Sequence, residues 1–520
     1  MPVSPTLPRS RQRLILAVLL LSSFLIWMDN TILGLAFQTL ADPVRGLGAT
    51  PAQLQWATGA YTLVFAALMF TAGALGDRFG HRTVLATGMA TFAAASVWAA
   101  YVGNADELIA ARAVMGVGSA LIMPATMAIL TWTFTGPARA TAIGISSASA
   151  GVGIAAGPLL AGVLLDHFWW GSVFLINVPA VLIGLVGIVT LIPEFRSPTP
   201  RPLDPAGLLL SISGLAALAY GLIRAGQVAS WTPVDVWVPI AVGVILLGAF
   251  VVVELRLREP SFDPRLLAER TFGGGNVAIG LLLFAMTAAG FYSAFYLQGA
   301  RGFSPLQAGF ASSPAALGAI VGGPLGIRLV RRWSLRPVTA TALTVAAVAM
   351  GCSALFGLHT SLVWIEIVLL VQGLSIGIVM GSVTAALLST LPLARAGAGS
   401  AVTNTVRQTG SVLGIAVGGT IMSIVYRRAI EGSVHDLPGE VQEHVRVSAE
   451  QARHVASGIG RPDLVRAADE AFIHAMHVGA VWTMFIALAG AAVLVTALRP
   501  SRTRIESTPE QTDVLESAAL

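Results

Sequence analysis

The chain of 520 residues contains no lysine; its 31 basic residues are all arginine. A P-loop needs a lysine on the β- and γ-phosphates, so the chain cannot supply its own Walker-type ATPase. A Schiff base to retinal or pyridoxal needs one too. Cysteine is almost as scarce. The single Cys352 lies in an apolar run, which excludes disulfide frameworks and thiolate metal clusters and leaves packing as its expected role. Charge of either sign is rare: 11% of residues are charged against 55% hydrophobic, with mean hydropathy +0.78. Soluble domains carry about a quarter charged residues, so this surface could not be wetted all round. A net charge of +5 and a pI of about 10.0 would suit a nucleic-acid binder. In a chain this apolar, surplus arginine reads instead as a bias of membrane-flanking loops, and no nucleic-acid partner is expected.

What the chain has is long apolar runs. A bilayer core about 30 Å thick needs roughly 20 apolar residues per helix. Fourteen stretches meet that measure: 14–38, 53–75, 83–101, 107–131, 141–164, 172–193, 205–224, 236–254, 274–298, 306–327, 337–358, 362–389, 397–425 and 472–498. The first follows Arg9, Arg11 and Arg13, but it is longer than a signal-peptide core, contains Asp29 and lacks a small-residue cleavage site, so it reads as a retained helix. With a cytoplasmic N-terminus, 20 of the 31 arginines fall in inside segments, among them Arg78, Arg82, Arg139, Arg196, Arg201, Arg328, Arg331 and Arg332. Arg45, Arg224 and Arg301 fall in short outside loops, six arginines in the long segment 427–471, and Arg112 and Arg407 within helices. This asymmetry predicts a multi-pass protein of the inner (plasma) membrane, in contact with the lipid bilayer, with both termini cytoplasmic. Trp56, Trp132, Trp169, Trp170, Trp231, Trp237, Trp333 and Trp364 stand near helix ends, as an interfacial belt does. Charges alternating with valine and alanine around Val441–Val455 predict an amphipathic surface helix on the outside.

The apolar helices repeat. Arg112-Ala-Val-Met-Gly116 and the residues after it resemble Leu369-Leu-Val-Gln-Gly373 and its continuation at an offset of 257. Gly153, Gly157 and Gly162 map at the same offset onto Gly410, Gly414 and Gly419. Two six-helix halves are therefore expected, with the seventh and eighth helices inserted between them and a substrate path between the halves near mid-membrane. The division is a tail 1–13, an N-terminal half 14–193, a linker with two extra helices 194–273, a C-terminal half 274–498 containing the outside loop 427–471, and a polar tail 499–520.

Three segments carry a family resemblance. Gly73-Ala-Leu-Gly-Asp77-Arg78-Phe-Gly80-His81-Arg82 resembles the signature loop G-x-L-x-D-R-x-G-R-R of the major facilitator superfamily, with His81 in place of a base. Glycines permit a tight turn there, while Asp77, Arg78 and Arg82 could form a charge network that holds helix ends together. Gly144, Gly153, Gly157, Pro158 and Gly162 are similar to the antiporter motif G-x8-G-x3-G-P-x2-G-G, with Ala161 replacing one glycine. Its glycines let backbones approach, and its proline removes a donor and bends the helix. Met28-Asp29-Asn30-Thr31, Phe174-Leu-Ile-Asn177-Val-Pro179 and Asn404-Thr-Val-Arg407-Gln408 resemble segments of the fourteen-helix drug:proton antiporters of the EmrB/QacA type. The resemblance covers about residues 10–498. It implies an all-α polytopic membrane protein of the major facilitator fold, with fourteen transmembrane helices.

Few charges lie inside the membrane, where each costs about 2.5–3.5 kcal/mol on insertion scales. Asp29 and Arg112 stand at matching depths, so contact is possible. Together with the resemblance, this makes Asp29 the expected site of the coupling proton. Desolvation would favour its neutral form and Arg112 its charged form; a static ion pair is the alternative. Arg407 could meet an anionic group or could hold helices by bonding carbonyls. Glu366, His474 and His477 read as interfacial. The resemblance implies extra acids in the tenth or thirteenth span of members that take bulky cations; here the tenth holds none and the thirteenth offers Arg407, which argues against a dicationic substrate. Tyr61, Met123, Phe291, Tyr292, Asn404, Arg407 and Gln408 are the candidate cavity residues, because aromatic and apolar walls with few polar groups suit amphipathic organic molecules.

The function expected is proton-coupled export of small hydrophobic or amphipathic compounds such as antibiotics, dyes or biocides, by alternating access. No cofactor or metal is expected, the proton gradient supplies the energy, and the protein is expected to be a monomer. Export of one endogenous metabolite is the alternative. A membrane enzyme should cluster His, Asp or Glu at one membrane face, and a receptor should carry a soluble signalling domain. The sequence offers neither.

Overall fold

The computed structural model describes residues 8–196, 204–257, 260, 262–389, 391 and 396–498. Arg201 of the linker and the tail 499–520 lie outside the described residues. In chain order the helices are α1 (Arg9–Ala41), α2 (Pro51–Phe79), α3 (His81–Ala100), α4 (Ala105–Thr133), α5 (Gly136–His167), α6 (Ser172–Leu175), α7 (Asn177–Leu191), α8 (Pro205–Val228), α9 (Val234–Arg256), α10 (Arg265–Ala268) and α11 (Arg270–Phe295). A π-helical turn, Tyr296–Ala300, extends α11. There follow α12 (Pro305–Trp333), α13 (Leu335–Cys352), α14 (Leu362–Ser389), α15 (Ala396–Ile430), α16 (Gly439–Val447), α17 (Ala449–Ile459) and α18 (Pro462–Ala497). Each apolar stretch of the sequence falls on one of the long helices or, for 172–193, on α6 with α7.

Among the described residues twelve helices are long and apolar enough to cross a membrane, or thirteen when α2, bent by 51° between Met69 and Thr71, counts as one span. In α5 the apolar segment Gly151–His167 is shorter than such a span. Exposed Leu182, Ile183, Val186, Val242, Val244 and Ile245 give α7 and α9 outward faces that only lipid would cover.

Successive long helices run in opposite directions, so the bundle has two ends. One carries Arg78, Arg82, Arg139, Arg196, Arg328, Arg331 and Arg332 and is called the arginine-rich end. The other carries α16 and α17 and is called the capped end. The single amphipathic helix expected around Val441–Val455 is in fact two, because Ser448 is extended (φ −163°) and its side chain accepts a hydrogen bond from the Gln451 amide at the start of α17. The last long helix begins at Pro462, ten residues before the expected 472. Its polar first turns are held by the cap: Arg453 pairs with Asp469 at 2.7 Å and with Glu450 at 2.8 Å.

Glycines set the packing between the two halves and within them. A Cβ on Gly162 of α5 would lie 2.8 Å from the Pro305 carbonyl of α12, and one on Gly309 of α12 would lie 2.6 Å from the Pro158 carbonyl of α5. At the same end the Gln298 side-chain amide donates to the Leu35 carbonyl (2.6 Å), Phe37 stacks on Phe295, and Gln38 bonds Glu450. One hydrophobic core therefore runs through the N-terminal half and takes in Phe291, Tyr292, Leu297, Ala308 and Tyr426 of the other half. Towards the arginine-rich end the C-terminal half has its own core around Phe272, Ile279, Leu343, Val379 and Leu494. The inserted pair α8 and α9 packs through Gly214, Gly221 and Gly243, and α8 docks on α15, where the Thr420 hydroxyl donates to the Leu222 carbonyl (2.7 Å).

Candidate functional site

The charged centre lies in the N-terminal half. Asp29 is on α1, twelve residues from that helix's end at the capped end, and Arg112 is eight residues into α4 from the same end. Helix rise converts these to depths of about 18 and 11 Å. Arg112 Nη1 donates to Asp29 Oδ2 at 2.6 Å, and the two side chains are 1% and 0% exposed. Arg112 Nε also donates to the Ala57 carbonyl (3.3 Å), and the guanidinium lies 4.3 Å from the ring centroid of Tyr61. A desolvated cation over an aromatic face gains about 2 kcal/mol. The Tyr61 hydroxyl is 2.8 Å from Ser119 Oγ.

The other carboxylate oxygen, Oδ1, accepts from Asn177 Nδ2 at 3.3 Å; the same amide nitrogen donates to Ser96 Oγ (3.1 Å), which in turn donates to the Phe174 carbonyl (2.8 Å). Asn177 Oδ1 is buried and makes no hydrogen bond among the described residues. The sequence singled out Asp29 and Arg112. It marked Asn177 only as part of a motif and Tyr61 only as a cavity residue, and it missed Ser96 and Ser119. Tyr61 is fully buried beneath Arg112 rather than beside open space.

The glycines of α5 press it onto α1 beside this pair. A Cβ on Gly153 would lie 2.8 Å from the Phe24 carbonyl, and one on Gly157 would collide with Thr31 Oγ1. Pro158 cannot donate to the carbonyl of Ile154 four residues earlier. Thr31 Oγ1, 3.3 Å away, offers that oxygen a hydrogen bond instead. Gly144 lies on the same helix.

These contacts recur in the other half. Thr287 of α11 donates to the Ser411 carbonyl of α15 at 3.1 Å. Gly410 meets Gly280 and Gly414 meets Phe284 and Thr287, just as Gly153 meets Phe24 and Gly157 meets Met28 and Thr31. The offset is 256 for the first helix of each pair and 257 for the second. The repeat read from glycines is therefore a repeat of atomic contacts.

The signature loop is braced within the N-terminal half. Asp77 Oδ1 lies 3.3 Å from His81 Nε2, so Asp77 meets the residue that replaced a base. Gly80, at φ +106°, leaves room for Glu194, whose carboxylate accepts from the Arg82 and Thr83 amides at 3.1 Å each and caps α3. Arg78 is exposed, with its guanidinium 5.8 Å from the Phe79 ring. Glu194 and Phe195, which stacks on Trp132, were not foreseen as partners of this loop.

Of the remaining cavity candidates, Phe291 packs on Phe37 (5.4 Å) and Tyr292 reaches Thr483, both in the closed region near the capped end. Met123 is half-buried on α4. Asn404, Arg407 and Gln408 are half-buried on α15, and Asn404 donates to the Ser400 carbonyl (3.0 Å). His477 bonds the Phe356 carbonyl (2.7 Å), while His474 is exposed. Among the described residues no group of three or more His, Cys, Asp or Glu could hold a metal ion.

A bundle of long apolar helices whose two halves repeat the same glycine contacts is the architecture of a membrane transporter. Residues 19–415 match the Major Facilitator Superfamily, and the chain belongs to that family. It is 32% identical over 500 residues to the multidrug efflux pump LfrA of Mycolicibacterium smegmatis, covering 95% of this chain and 98% of the relative. It is 35% identical over 416 residues to the cephamycin export protein CmcT of Amycolatopsis lactamdurans, covering 76% and 82%. Among solved structures, a bacterial homologue of the human lysosomal transporter Spinster superposes with TM-score 0.66 at 18% identity, covering 95% of this chain and 100% of that one.

Proposed function

We propose that the protein is a proton-coupled exporter of hydrophobic or amphipathic organic compounds, of the fourteen-helix drug:proton antiporter type. The twelve apolar helices are joined in this count by α2 and α5, which at 29 and 32 residues are each long enough to span a bilayer. The positive-inside rule makes the arginine-rich end and both termini cytoplasmic, in the plasma membrane. The halves are then joined on the outside through Gly162, Gly309 and Gln298.

The observation that carries the reading is the Asp29–Arg112 pair pressed against the glycine motif of α5. A proton on Asp29 cancels the attraction to Arg112, which keeps the Ala57 carbonyl and the Tyr61 ring. The Asn177 amide can turn so that its Oδ1, now without a partner, accepts the new O–H. α1 is thereby released from α4. Its Met28–Thr31 segment seats Gly157 of α5, and α5 in turn carries Pro158 and Gly162 to α12 in the other half. Protonation at one buried carboxylate thus biases the contact on which alternating access turns. The protein works as a monomer, without a cofactor, on the proton gradient.

Similarity to a multidrug efflux pump favours a broad substrate range. Similarity to a protein named for exporting cephamycin supports the second reading, a dedicated exporter of one compound. Expression in a pump-deleted bacterial host should lower accumulation of a lipophilic dye or antibiotic, and a protonophore should abolish the effect. Protonophore-insensitive efflux would overturn the coupling, and a resistance panel in the same host separates broad from dedicated export.

A further inference from the structure

Arg407 is the intramembrane charge that the proton mechanism leaves unused. It is the twelfth of the 35 residues of α15, half-buried, and among the described residues its guanidinium makes no hydrogen bond or ion pair. Of the helices packed against α15, α8 and α11 contain no aspartate or glutamate, and Asp204 and Glu254 line a pocket with Thr405 without pairing with Arg407 among the described residues. A lone guanidinium at this depth is costly unless water or an anion reaches it.

The helical register shows what it faces. Asn404, Arg407, Gln408 and Ser411 follow the i, i+3, i+4, i+7 spacing of one helix face. Val406 and Gly410 touch Gly280 of α11, while Val412 and Ala416 pack against α2 and α8. Asn404 and Gln408 therefore turn away from both neighbours, and Arg407 stands between them and the glycine contact with α11. The repeat adds an independent point. Arg407 corresponds by the offset of 257 to Ala150 in the N-terminal half, so the repeated glycine contacts form there without a charge at this position.

Resting on the exporter reading above, we propose that Arg407 binds the anionic head of the substrate, and that the exported compounds are amphipathic molecules bearing a carboxylate. A guanidinium takes a carboxylate in a two-pronged hydrogen bond, and the Asn404 and Gln408 side chains flank it with uncharged donors. By helix rise Arg407 lies roughly 15 Å nearer the arginine-rich end than Asp29 does. Anion and proton therefore occupy separate sites, and a bound carboxylate does not displace Asp29 from Arg112.

The test uses a dansyl-tagged medium-chain amino acid and its methyl ester, identical except for the carboxylate. Binding to purified protein is read by dansyl fluorescence, and transport is read in proteoliposomes under a pH gradient. Wild type should bind and export the acid about tenfold better than the ester, the scale of one charge-assisted bond. Arg407→Gln should lose about that factor for the acid and less than about twofold for the ester, with Arg407→Lys in between. Equal loss of both compounds, or loss of neither, overturns the proposal. If the acid binds in an Arg407-dependent way but no gradient drives its movement, the exporter reading falls and the anion site stands.

Discussion

In the N-terminal half α5 lies on α1 through Gly153, Gly157 and the Thr31 hydroxyl; in the C-terminal half α15 lies on α11 through Gly410, Gly414 and the Thr287 hydroxyl. The backbones meet in the same way, yet the charges differ. Asp29 becomes Ala285 and Arg112 becomes Leu369, while Ala150 becomes Arg407. The shared contacts are those that let helices approach, because only glycine and a hydroxyl fit there. The charges, which the scaffold does not need, are distributed unequally. One half holds a neutralised pair and the other a single cation. On this account the halves divide the work, the first taking the proton and the second the substrate.

Breaking the pair tests the asymmetry most severely. Arg112→Ala leaves Asp29 buried without its cation and should cost about 3–5 kcal/mol, seen as a large fall in melting temperature of the detergent-solubilised protein. Stability close to wild type would mean that Asp29 is already neutral in the folded protein. Writing the pair into the other half sharpens the comparison. Ala285→Asp should destabilise by about 3 kcal/mol, the cost of an unpaired intramembrane acid, and Leu369→Arg should recover part of it. Absence of rescue would limit the repeat to its glycine contacts. Smaller effects are expected from Gly157→Ala and Gly414→Ala, each about 1–3 kcal/mol from overpacking. The two should be equal in melting temperature but unequal in transport, since only Gly157 sits beside Asp29. Equal transport defects would remove the functional distinction between the halves.

Much of this was legible in the sequence. The apolar runs located the long helices because a bilayer demands about 20 apolar residues, and Asp29 and Arg112 stood out because charge there is rare. The start of α18 was missed because a hydropathy measure stops where polar residues begin. Asp463, Asp469 and Glu470 remain helical beyond that point, and Asp469 has its partner Arg453 in the cap. The break at Ser448 is a local cap inside an otherwise amphipathic pattern. Asn177, Ser96 and Ser119 are ordinary small polar residues whose role comes from helices brought together in the fold. Tyr61 was marked as a cavity residue because rings line cavities, but its position under Arg112 depends on how α2 and α4 pack. Glu194, which caps α3 from the end of α7, bonds residues 111 and 112 positions away in sequence, beyond any local pattern.

The central claim is that Asp29 carries the coupling proton without building the transport path. Proteoliposomes containing Asp29→Asn should be compared with wild type in two assays, substrate exchange at equal pH and substrate accumulation driven by a pH gradient. The account predicts that exchange persists within about twofold while gradient-driven accumulation falls by at least about tenfold, the signature of a protonation site removed from an intact carrier. Accumulation retained at the wild-type level by Asp29→Asn would contradict it.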